Sequence, residues 1–312
     1  MKTTMRYKSV LVTGGSGFVG QHLLPYLSNK GFSVRCFDRM KPLWLTSDIE
    51  FIEGDLSAPH ILEPSVEGMD VIVHLVSTTL PKTSNDDPQF DAISNLIGTI
   101  GLIELAVKHG IKRMIFISSG GTVYGRPYTI PMSESHPTNP LCSYGIIKLT
   151  IEKYLRMYYD LYGLKSVSLR LSNLYGEHQR VDTGQGAVTV FCHKAVNGAP
   201  IDIWGDGSVA RDFLYVKDAI DAIFKAILSD HSGMEINIGS GKSISLNQTI
   251  ACIEKVLGKN VKRRYLPGRS FDINEVCLDI LQARQLLGWM PSTDLQDGIR
   301  LMVNWLAKGN PV

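Results

Sequence analysis

The sequence predicts an α/β protein with a doubly wound, mostly parallel sheet and a smaller C-terminal lobe. Short apolar runs rich in Val, Ile and Phe alternate with longer segments of helical periodicity. This alternation is typical of parallel strands joined by crossover helices. The run Val71-Ile72-Val73-His74-Leu75-Val76 is apolar almost throughout, as expected for a strand covered on both faces of a sheet.

The elements follow in chain order. Strands are predicted at 8–13, 33–37, 70–76, 113–118 and 166–171, with a further strand before Gly54, and long helices at 17–30, 89–109 and 143–162. Each of these helices is followed by a glycine, the residue that most often ends a helix in the left-handed conformation.

The pattern changes after Gly176, where 177–186 is polar and predicts a loop or hinge. Further helices are predicted at 187–197, 217–229, 246–257, 280–287 and 294–307, with short strands at 201–204 and 213–216. We therefore predict a first domain at 1–174, to which 213–240 returns, and a second lobe formed by 175–212 and 241–312.

Composition excludes several function classes. The 312 residues carry a formal charge of +2, and the densest basic cluster is Lys262-Arg263-Arg264. We interpret this cluster as a solvated strand end or an anion contact, because nucleic-acid binding needs a wider footprint. The five cysteines have no metal-ligand spacing, which indicates a reduced, cytoplasmic protein without a metal site. No apolar stretch approaches about 20 residues, so we expect no membrane span.

A glycine-rich turn near the N-terminus indicates a dinucleotide site. Gly14, Gly17 and Gly20 follow a predicted strand and open a predicted helix. In such turns the first glycine permits a tight turn, the second lets the backbone approach a pyrophosphate, and the third lets helix pack on strand. The free N–H groups and the helix dipole then attract the diphosphate. The alternative is a plain helix-opening turn.

Acidic residues at the next two strand ends refine this hypothesis. Asp38 ends the second strand, where a carboxylate accepts from both ribose hydroxyls and repels a 2′-phosphate, which favours NAD over NADP. Arg39 keeps NADP open, because an arginine there can accommodate that phosphate. Asp55 follows the third strand and would accept from the adenine amino group or, equally, cap a helix.

Tyr144 and Lys148 lie four residues apart on a predicted helix and project from one face. A general base for neutral pH should titrate near 7, about 3 units below an ordinary tyrosine. A neighbouring ammonium and a positively charged nicotinamide ring both favour the phenolate. An isolated pair of this spacing is usually an ordinary surface pair. The strand 115–119, which ends in Ser118 and Ser119 where parallel sheets place their chemistry, raises its significance.

The motifs taken together resemble the extended short-chain dehydrogenase/reductase family, in particular its nucleotide-sugar epimerases. They are TGGSGFVG, GDL, ISSGGTVYG, SYGIIK, LSNLYG, WGDGSVARDFLYVKD, and GRSFD before LLGW, and they run through nearly the whole chain. The resemblance implies a Rossmann-like first domain, a nucleotide-sugar-binding second lobe and NAD as cofactor.

By this resemblance Tyr144 removes the proton from the sugar hydroxyl, and Lys148 holds the nicotinamide ribose and lowers the tyrosine pKa. The family's polarising hydroxyl falls on Gly120, a departure from the pattern. Ser119 or Thr122 would supply it instead, unless these hydroxyls bond their own backbone. Gly121 and Thr122 also stand where dehydratases carry acidic residues, which disfavours dehydration and decarboxylation.

The resemblance also implies the binding residues. Asn95 matches an asparagine near the cofactor, although a helix-interior asparagine could also face solvent. The expected cofactor contacts are Gly14, Gly17, Phe18, Val19, Gly20, Asp38, Arg39, Asp55, Leu56, Leu75, Val76, Ser77, Asn95, Ser118, Tyr144 and Lys148.

For the substrate, Asn173, Arg211 and Arg269 match residues that bind the diphosphate, and a guanidinium pairs with phosphate in bidentate fashion. Asp272 would meet the ribose and Trp204 the base. The alternatives are surface ion pairs of the arginines with Asp212 and Asp272, and a core position for Trp204.

Three functions remain open at this stage. The first is an NAD-dependent nucleotide-sugar 4-epimerase, with UDP-sugars favoured over TDP-sugars, in surface polysaccharide or sugar-nucleotide metabolism. The second is a nucleotide-sugar 4-ketoreductase that consumes NAD(P)H. The third is a dinucleotide sensor without catalysis, which retention of Tyr144 and Lys148 disfavours. The resemblance further implies a homodimer, paired through the helices 89–109 and 143–162.

Overall fold

The computed structural model describes residues 6–182, 186–268 and 273–309. The chain forms two compact units. The N-terminal unit comprises Met1–Gly125, Pro137–Arg170 and Ala222–Ile236, and the C-terminal unit comprises Arg126–His136, Leu171–Asp221 and Asn237–Val312. The segment that returns to the N-terminal unit is therefore shorter than the predicted 213–240.

The strands of the described residues are β1 (Ser9–Thr13), β2 (Ser33–Asp38), β3 (Ile49–Glu53), β4 (Val71–His74), β5 (Arg113–Ser119), β6 (Ser166–Leu171), β7 (Asn173–Tyr175), β8 (Ile201–Trp204), β9 (Ala210–Tyr215), β10 (Met234–Ile238), β11 (Ser243–Ser245) and β12 (Arg263–Leu266). The α-helices are α1 (Phe18–Asn29), α2 (Pro59–Val66), α3 (Pro88–Asp91), α4 (Gly98–Lys108), α5 (Ser143–Tyr162), α6 (Ala187–Val196), α7 (Val216–Leu228), α8 (Leu246–Leu257), α9 (Leu281–Leu287) and α10 (Leu295–Ala307).

A seven-stranded sheet in the order β10-β6-β5-β4-β1-β2-β3 confirms the predicted doubly wound fold. The pairs β1–β2, β1–β4, β2–β3 and β4–β5 are parallel. The chain order reverses between β1 and β4, and open α/β sheets bind ligands outside the carboxyl ends of their strands at this point. The glycine turn follows β1, so the fold places it at the ligand-binding edge.

The core of the N-terminal unit lies between the sheet and its helices. Leu102 and Ile103 of α4 and Ile151 of α5 pack with Met114 and Phe116 of β5 in one buried cluster. The predicted glycine ends of α1, α4 and α5 are confirmed, because Gly31, Gly110 and Gly163 all have positive φ.

The predicted long helix at 89–109 is confirmed, but its middle is not α-helical. A π-helical segment, Ala92–Ile97, separates α3 from α4. Such turns are rare and recur at functional sites. The side chain of Asn95 bonds both the Asp91 carbonyl and Thr78, so the wide turn accommodates a side-chain network that periodicity does not reveal.

The expectation that no apolar stretch approaches about 20 residues is wrong for this segment. By length and composition alone, Pro88–Lys108 is apolar enough to cross a membrane, with a mean hydropathy of 1.5. Core helices meet this criterion too, and the α4 residues Leu102, Ile103 and Ala106 are buried in the core cluster of the unit.

The C-terminal unit contains a three-stranded sheet, β11-β9-β7, and a parallel pair, β8 and β12. Strand β9 begins three residues earlier than the predicted 213–216, because Ala210, Arg211 and Asp212 pair with β11. The buried Asp212 carboxylate accepts hydrogen bonds from Ser240, the Gly241 N–H and the Leu278 N–H, which fixes this part of the unit.

Candidate active site

The glycine turn after β1 is packed too closely for side chains at two of the three glycines that form its G-x-x-G-x-x-G spacing. Gly14 has a φ of +77°, and a Cβ there would lie 2.8 Å from the Val76 nitrogen. A Cβ on Gly20 would lie 2.0 Å from the Gly15 carbonyl oxygen, so α1 would be pushed off the turn. The packing of the protein itself therefore requires glycine at these two positions.

Gly17 is different and provides a test of whether a cofactor fits. It is exposed, and a Cβ there would meet only the Gly14 oxygen, at an ordinary 3.4 Å. As the N-cap of α1 it offers no side chain, so the first N–H groups of the helix, including those of Phe18 and Val19, keep their capacity to bind an anion. The turn fits a diphosphate.

Asp38 lies at the end of β2 beside this turn. Its carboxylate accepts from the N–H of Ser16 at 2.9 Å and from the N–H of Arg39 at 2.7 Å. The side chain is half-buried, whereas Arg39 is exposed. The turn thus carries a fixed negative charge next to the diphosphate position, as the NAD hypothesis requires.

One carboxylate oxygen of Asp55 is hydrogen-bonded within its own loop. Its Oδ1 accepts from the N–H and the hydroxyl of Ser57, and these bonds lower the pKa of Asp55. This local turn precedes α2 but does not cap it, because the N-cap of α2 is Ala58 and no side chain caps this helix. The neighbouring Leu56 is buried, and its Cβ would lie 2.7 Å from a Cβ at Gly98. The predicted adenine contact of Asp55 stays a prediction.

The segment that follows β4 lies beside the glycine turn, at the edge of the sheet where the chain order reverses. The Leu75 N–H donates to the Thr13 carbonyl at 2.9 Å, which continues the sheet pairing, and Val76 lies against Gly14. Ser77 is exposed, and its hydroxyl reaches both the Thr79 carbonyl and the side chain of Tyr144. Cofactor and tyrosine positions are therefore neighbours in this unit.

Tyr144 is half-buried in the first turn of α5. Burial raises the pKa of Tyr144 to about 12, and hydrogen bonds from Ser77 and Ser119 oppose that rise. The tyrosine is therefore protonated in the free protein at neutral pH. It becomes a base only when further positive charge stabilises its phenolate.

Lys148 lies one turn further along the helix and is buried. Its Nζ donates to the Ile117 carbonyl at 2.9 Å and lies 5.6 Å from the centre of the Tyr144 ring. Burial lowers the pKa of Lys148 to about 8, and the charges of Asp91 and Glu152 oppose this. The ammonium therefore persists at neutral pH beside the tyrosine.

The end of β5 and the loop that follows it contain the two candidate hydroxyls, those of Ser119 and Thr122. The Ser119 side chain hydrogen-bonds Tyr144, as the sequence hypothesis allows. Thr122 is less clearly engaged, because its Oγ1 is buried without a hydrogen-bond partner among the described residues. Its Cβ would lie 3.2 Å from a Cβ on Gly145, so the loop packs directly on α5.

Ser118 serves the framework rather than the reacting hydroxyl. Its Oγ donates to the Glu152 carboxylate at 2.5 Å. Glu152 also accepts two hydrogen bonds from Arg170, which in turn contacts the Tyr124 hydroxyl at 3.0 Å. All four residues are buried, so β5, β6, α5 and the loop are locked together. The predicted cofactor contact of Ser118 stays a prediction.

Asn95 is buried, so the solvent-facing alternative is wrong. Its amide accepts from the Thr78 N–H at 2.9 Å and donates to Asp91 at 2.8 Å. Asp91 and Glu152 are the site residues that the sequence analysis missed. Their spacing offered a clue, because Asp91 lies four residues before Asn95 and Glu152 four residues after Lys148, which places each on the same helix face as its neighbour.

The predicted substrate residues belong to the C-terminal unit. Asn173 is half-buried in β7, and Trp204 at the end of β8 is 43% exposed, so its core alternative is wrong. Arg211 donates to the carbonyls of Ala210 and Ile273, while Asp212 is occupied elsewhere, which argues against an Arg211–Asp212 ion pair. Arg269 and Asp272 lie outside the described residues.

Comparisons with known proteins agree with this geometry. Residues 10–239 match the model of the NAD dependent epimerase/dehydratase family. The putative UDP-glucose 4-epimerase of Methanocaldococcus jannaschii is 35% identical, over 96% of this chain and 99% of that one. The dTDP-4-dehydro-6-deoxyglucose reductase of Escherichia coli is 33% identical, over 96% and 97% of the two chains.

A solved structure shares the whole fold. The UDP-glucose 4-epimerase of Thermotoga maritima with UDP-glucose superposes with a TM-score of 0.93 at 32% identity, covering 96% of this chain and 99% of that one. The chain belongs to the NAD dependent epimerase/dehydratase family, which confirms the predicted resemblance to the extended short-chain dehydrogenases/reductases.

Proposed function

We propose that the protein is an NAD-dependent nucleotide-sugar 4-epimerase that acts on a UDP-sugar. The observation that carries this proposal is the grouping of Tyr144, Lys148 and the Ser119 hydroxyl beside the glycine turn. The grouping contains a proton acceptor, a cation that stabilises its phenolate and a donor that polarises the same oxygen.

The residues divide the work at the sugar. Tyr144 takes the proton of the C4 hydroxyl and later returns it to the C4 oxygen. Ser119 donates a hydrogen bond to this oxygen, and Lys148 stabilises the phenolate of Tyr144. NAD held beside this group by the glycine turn would supply the hydride acceptor and donor at C4. No net oxidation results.

The cofactor would be held by the glycine turn, by Asp38 at the ribose and by the segment Leu75–Ser77. Asp38 favours NAD, because its carboxylate repels a 2′-phosphate. The N-terminal unit would thus serve as the NAD-binding domain. In the C-terminal unit, Asn173, Arg211 and Arg269 would bind the nucleoside diphosphate, with Trp204 at the base and Asp272 at the ribose.

Cellular context follows by family analogy. We infer a cytoplasmic homodimer that works in polysaccharide biosynthesis or sugar-nucleotide metabolism. The five free cysteines support a reducing compartment. The exposed apolar side chains of Phe90, Ile93 and Ile146, on α3, the π-helical segment and α5, support the paired-helix dimer.

The runner-up is a nucleotide-sugar 4-ketoreductase with the same tyrosine and lysine. The relative from Escherichia coli, which is named as a reductase of a dTDP-4-keto sugar, supports keeping this alternative. To separate the two, the purified protein is given UDP- and TDP-sugars while sugar configuration and NADH absorbance are followed. Interconversion without net NADH change supports the epimerase, whereas stoichiometric NADH loss with a 4-keto sugar contradicts it. Cofactor binding without turnover of any sugar points to a sensor.

The role of Tyr144 has its own test. Tyr144→Phe should lower kcat by about 10²- to 10⁴-fold, because the variant lacks the group that moves the proton. Its melting temperature should stay close to that of the parent protein, since the ring is retained. Near-normal turnover in this variant would refute the assigned role.

A further inference from the structure

Asp91 is a buried carboxylate that the proposed chemistry does not use. Asp91 ends α3 and is 1% exposed. Its Oδ1 accepts from the Thr79 hydroxyl at 2.6 Å and from the Asn95 amide at 2.8 Å, and its Oδ2 accepts from the Ser143 hydroxyl at 2.6 Å. All three partners are neutral donors, so their hydrogen bonds leave the negative charge uncompensated.

The contact with Ser143 reaches the start of the catalytic helix. Ser143 is the first residue of α5 and precedes Tyr144 directly. The N-cap of α5 provides no side-chain hydrogen bond. Instead, the N–H groups of Ser143 and Tyr144 donate to the side chains of Asn85 and Ser84. The first turn of α5 is therefore positioned from outside, by the loop before α3 and by Asp91.

Asp91 also differs from the other titratable groups around Lys148 in how its charge is balanced. Four titratable groups face Lys148 or interact with it, namely His74, Tyr144, Glu152 and Asp91. His74 is neutral, since burial lowers its pKa to about 3, and Tyr144 is neutral in the free protein. Glu152 is paired with Arg170 at 2.7 Å. Asp91 remains as the anion that has no ion pair with a cationic side chain among the described residues.

We propose that Asp91 is a positioning residue for the catalytic pair: through its hydrogen bond with Ser143 it fixes the first turn of α5, the helix that carries Tyr144 and Lys148, and it places a buried negative charge at this end of the helix. A negative charge near a helix N-terminus is also favourable to the helix dipole. The inference rests on the proposed function only for its effect on turnover, because the charge of Lys148 can be measured without substrate.

The test uses Asp91→Asn, which keeps the shape of the side chain and can still accept from Thr79 and Asn95. Asp87→Asn is the matched control, because Asp87 is exposed at the N-cap of α3, where asparagine caps equally well. Both variants change the net charge by the same amount on the same helix.

Lys148 is titrated by NMR in the full chain saturated with NAD, with lysine labelled at Cε and the Lys148 signal assigned through Lys148→Met. In D91N the titration midpoint of Lys148 should fall by about 1 pH unit, and the alkaline limb of the kcat profile should move with it. In D87N both should stay at the parent values. An unchanged Lys148 midpoint in folded D91N overturns the proposal.

Ser143→Ala tests the positioning half and serves also if D91N does not fold. It keeps the Asp91 charge but removes the bond to α5, so the Lys148 midpoint should stay while kcat falls about 10-fold with little change in KM. Parent-like kcat in S143A contradicts the positioning role. Failure of the proposed function looks different, because the parent protein would then turn over no sugar while Lys148 still shifts in D91N.

Discussion

Asp91 and Glu152 are both buried carboxylates near Lys148, yet the protein treats them in opposite ways. Glu152 receives two hydrogen bonds from the guanidinium of Arg170, so its charge is paired where it stands. Asp91 receives hydrogen bonds only from neutral groups. Both charges raise the pKa of Lys148, Asp91 more than Glu152, but only Glu152 also ties its helix to a neighbouring strand through an ion pair. Within one site, residues that stabilise the fold can thus be distinguished from residues that serve the reaction.

The largest expected effect comes from breaking the paired carboxylate. Glu152→Gln leaves the Arg170 guanidinium buried without its anion, which should cost about 3–5 kcal/mol of unfolding free energy. Asp160→Asn on the same helix is the control, because its ion pair with Arg156 is exposed and solvent screening should leave it little effect on stability. Chemical denaturation measures both. Equal losses in the two variants would contradict the framework role.

Ser118 and Ser119 allow the same separation between adjacent residues. The Ser118 hydroxyl binds Glu152, and the Ser119 hydroxyl binds Tyr144. Ser119→Ala should therefore lower kcat by about 100-fold with little loss of stability, as expected for a lost polarising donor. Ser118→Ala should instead lower stability by about 1–3 kcal/mol, since it removes a buried hydrogen bond.

Steady-state kinetics and thermal unfolding of both serine variants measure these effects on turnover and on stability. If Ser119→Ala is almost fully active while Thr122→Val loses turnover, the polarising hydroxyl belongs to Thr122, whose Oγ1 lacks a partner among the described residues.

A smaller effect is expected in the pH dependence of stability. Lys148 titrates at about 8 in the folded protein, against an ordinary value of 10.5, so the unfolded chain binds this proton more tightly. The penalty is present below pH 8 and disappears as the pH rises from about 8 to 10.5. The unfolding free energy of the parent protein should therefore rise relative to Lys148→Met across this window, by roughly 1–3 kcal/mol. Parallel curves would show that Lys148 is not strained by burial.

The sequence predicted those parts of the site that depend on local patterns. The glycine turn, the ends of α1 and α5, and the pairing of Tyr144 with Lys148 follow from spacing and turn chemistry. The doubly wound, mostly parallel character of the sheet followed from the alternation of strands and helices, whereas the order of its strands came from the structure.

What the sequence could not predict depends on tertiary contacts. The π-helical turn at Asn95 exists because its side chain bonds Thr78 and Asp91. Strand β11 is only three residues long and is fixed by pairing with β9, so no periodicity marks it. The choice between Ser119 and Thr122 likewise required the position of the loop relative to α5.

The most direct test of the proposed chemistry follows the hydrogen at the reacting carbon. UDP-glucose carrying deuterium at sugar C4 is incubated with the purified protein and NAD, and the product is analysed by NMR and mass spectrometry. Transient oxidation at C4 predicts UDP-galactose that retains its deuterium at C4, with none released to solvent and no NADH accumulating. Loss of the deuterium to water, or its recovery in free reduced cofactor beside a 4-keto sugar, would contradict the epimerase.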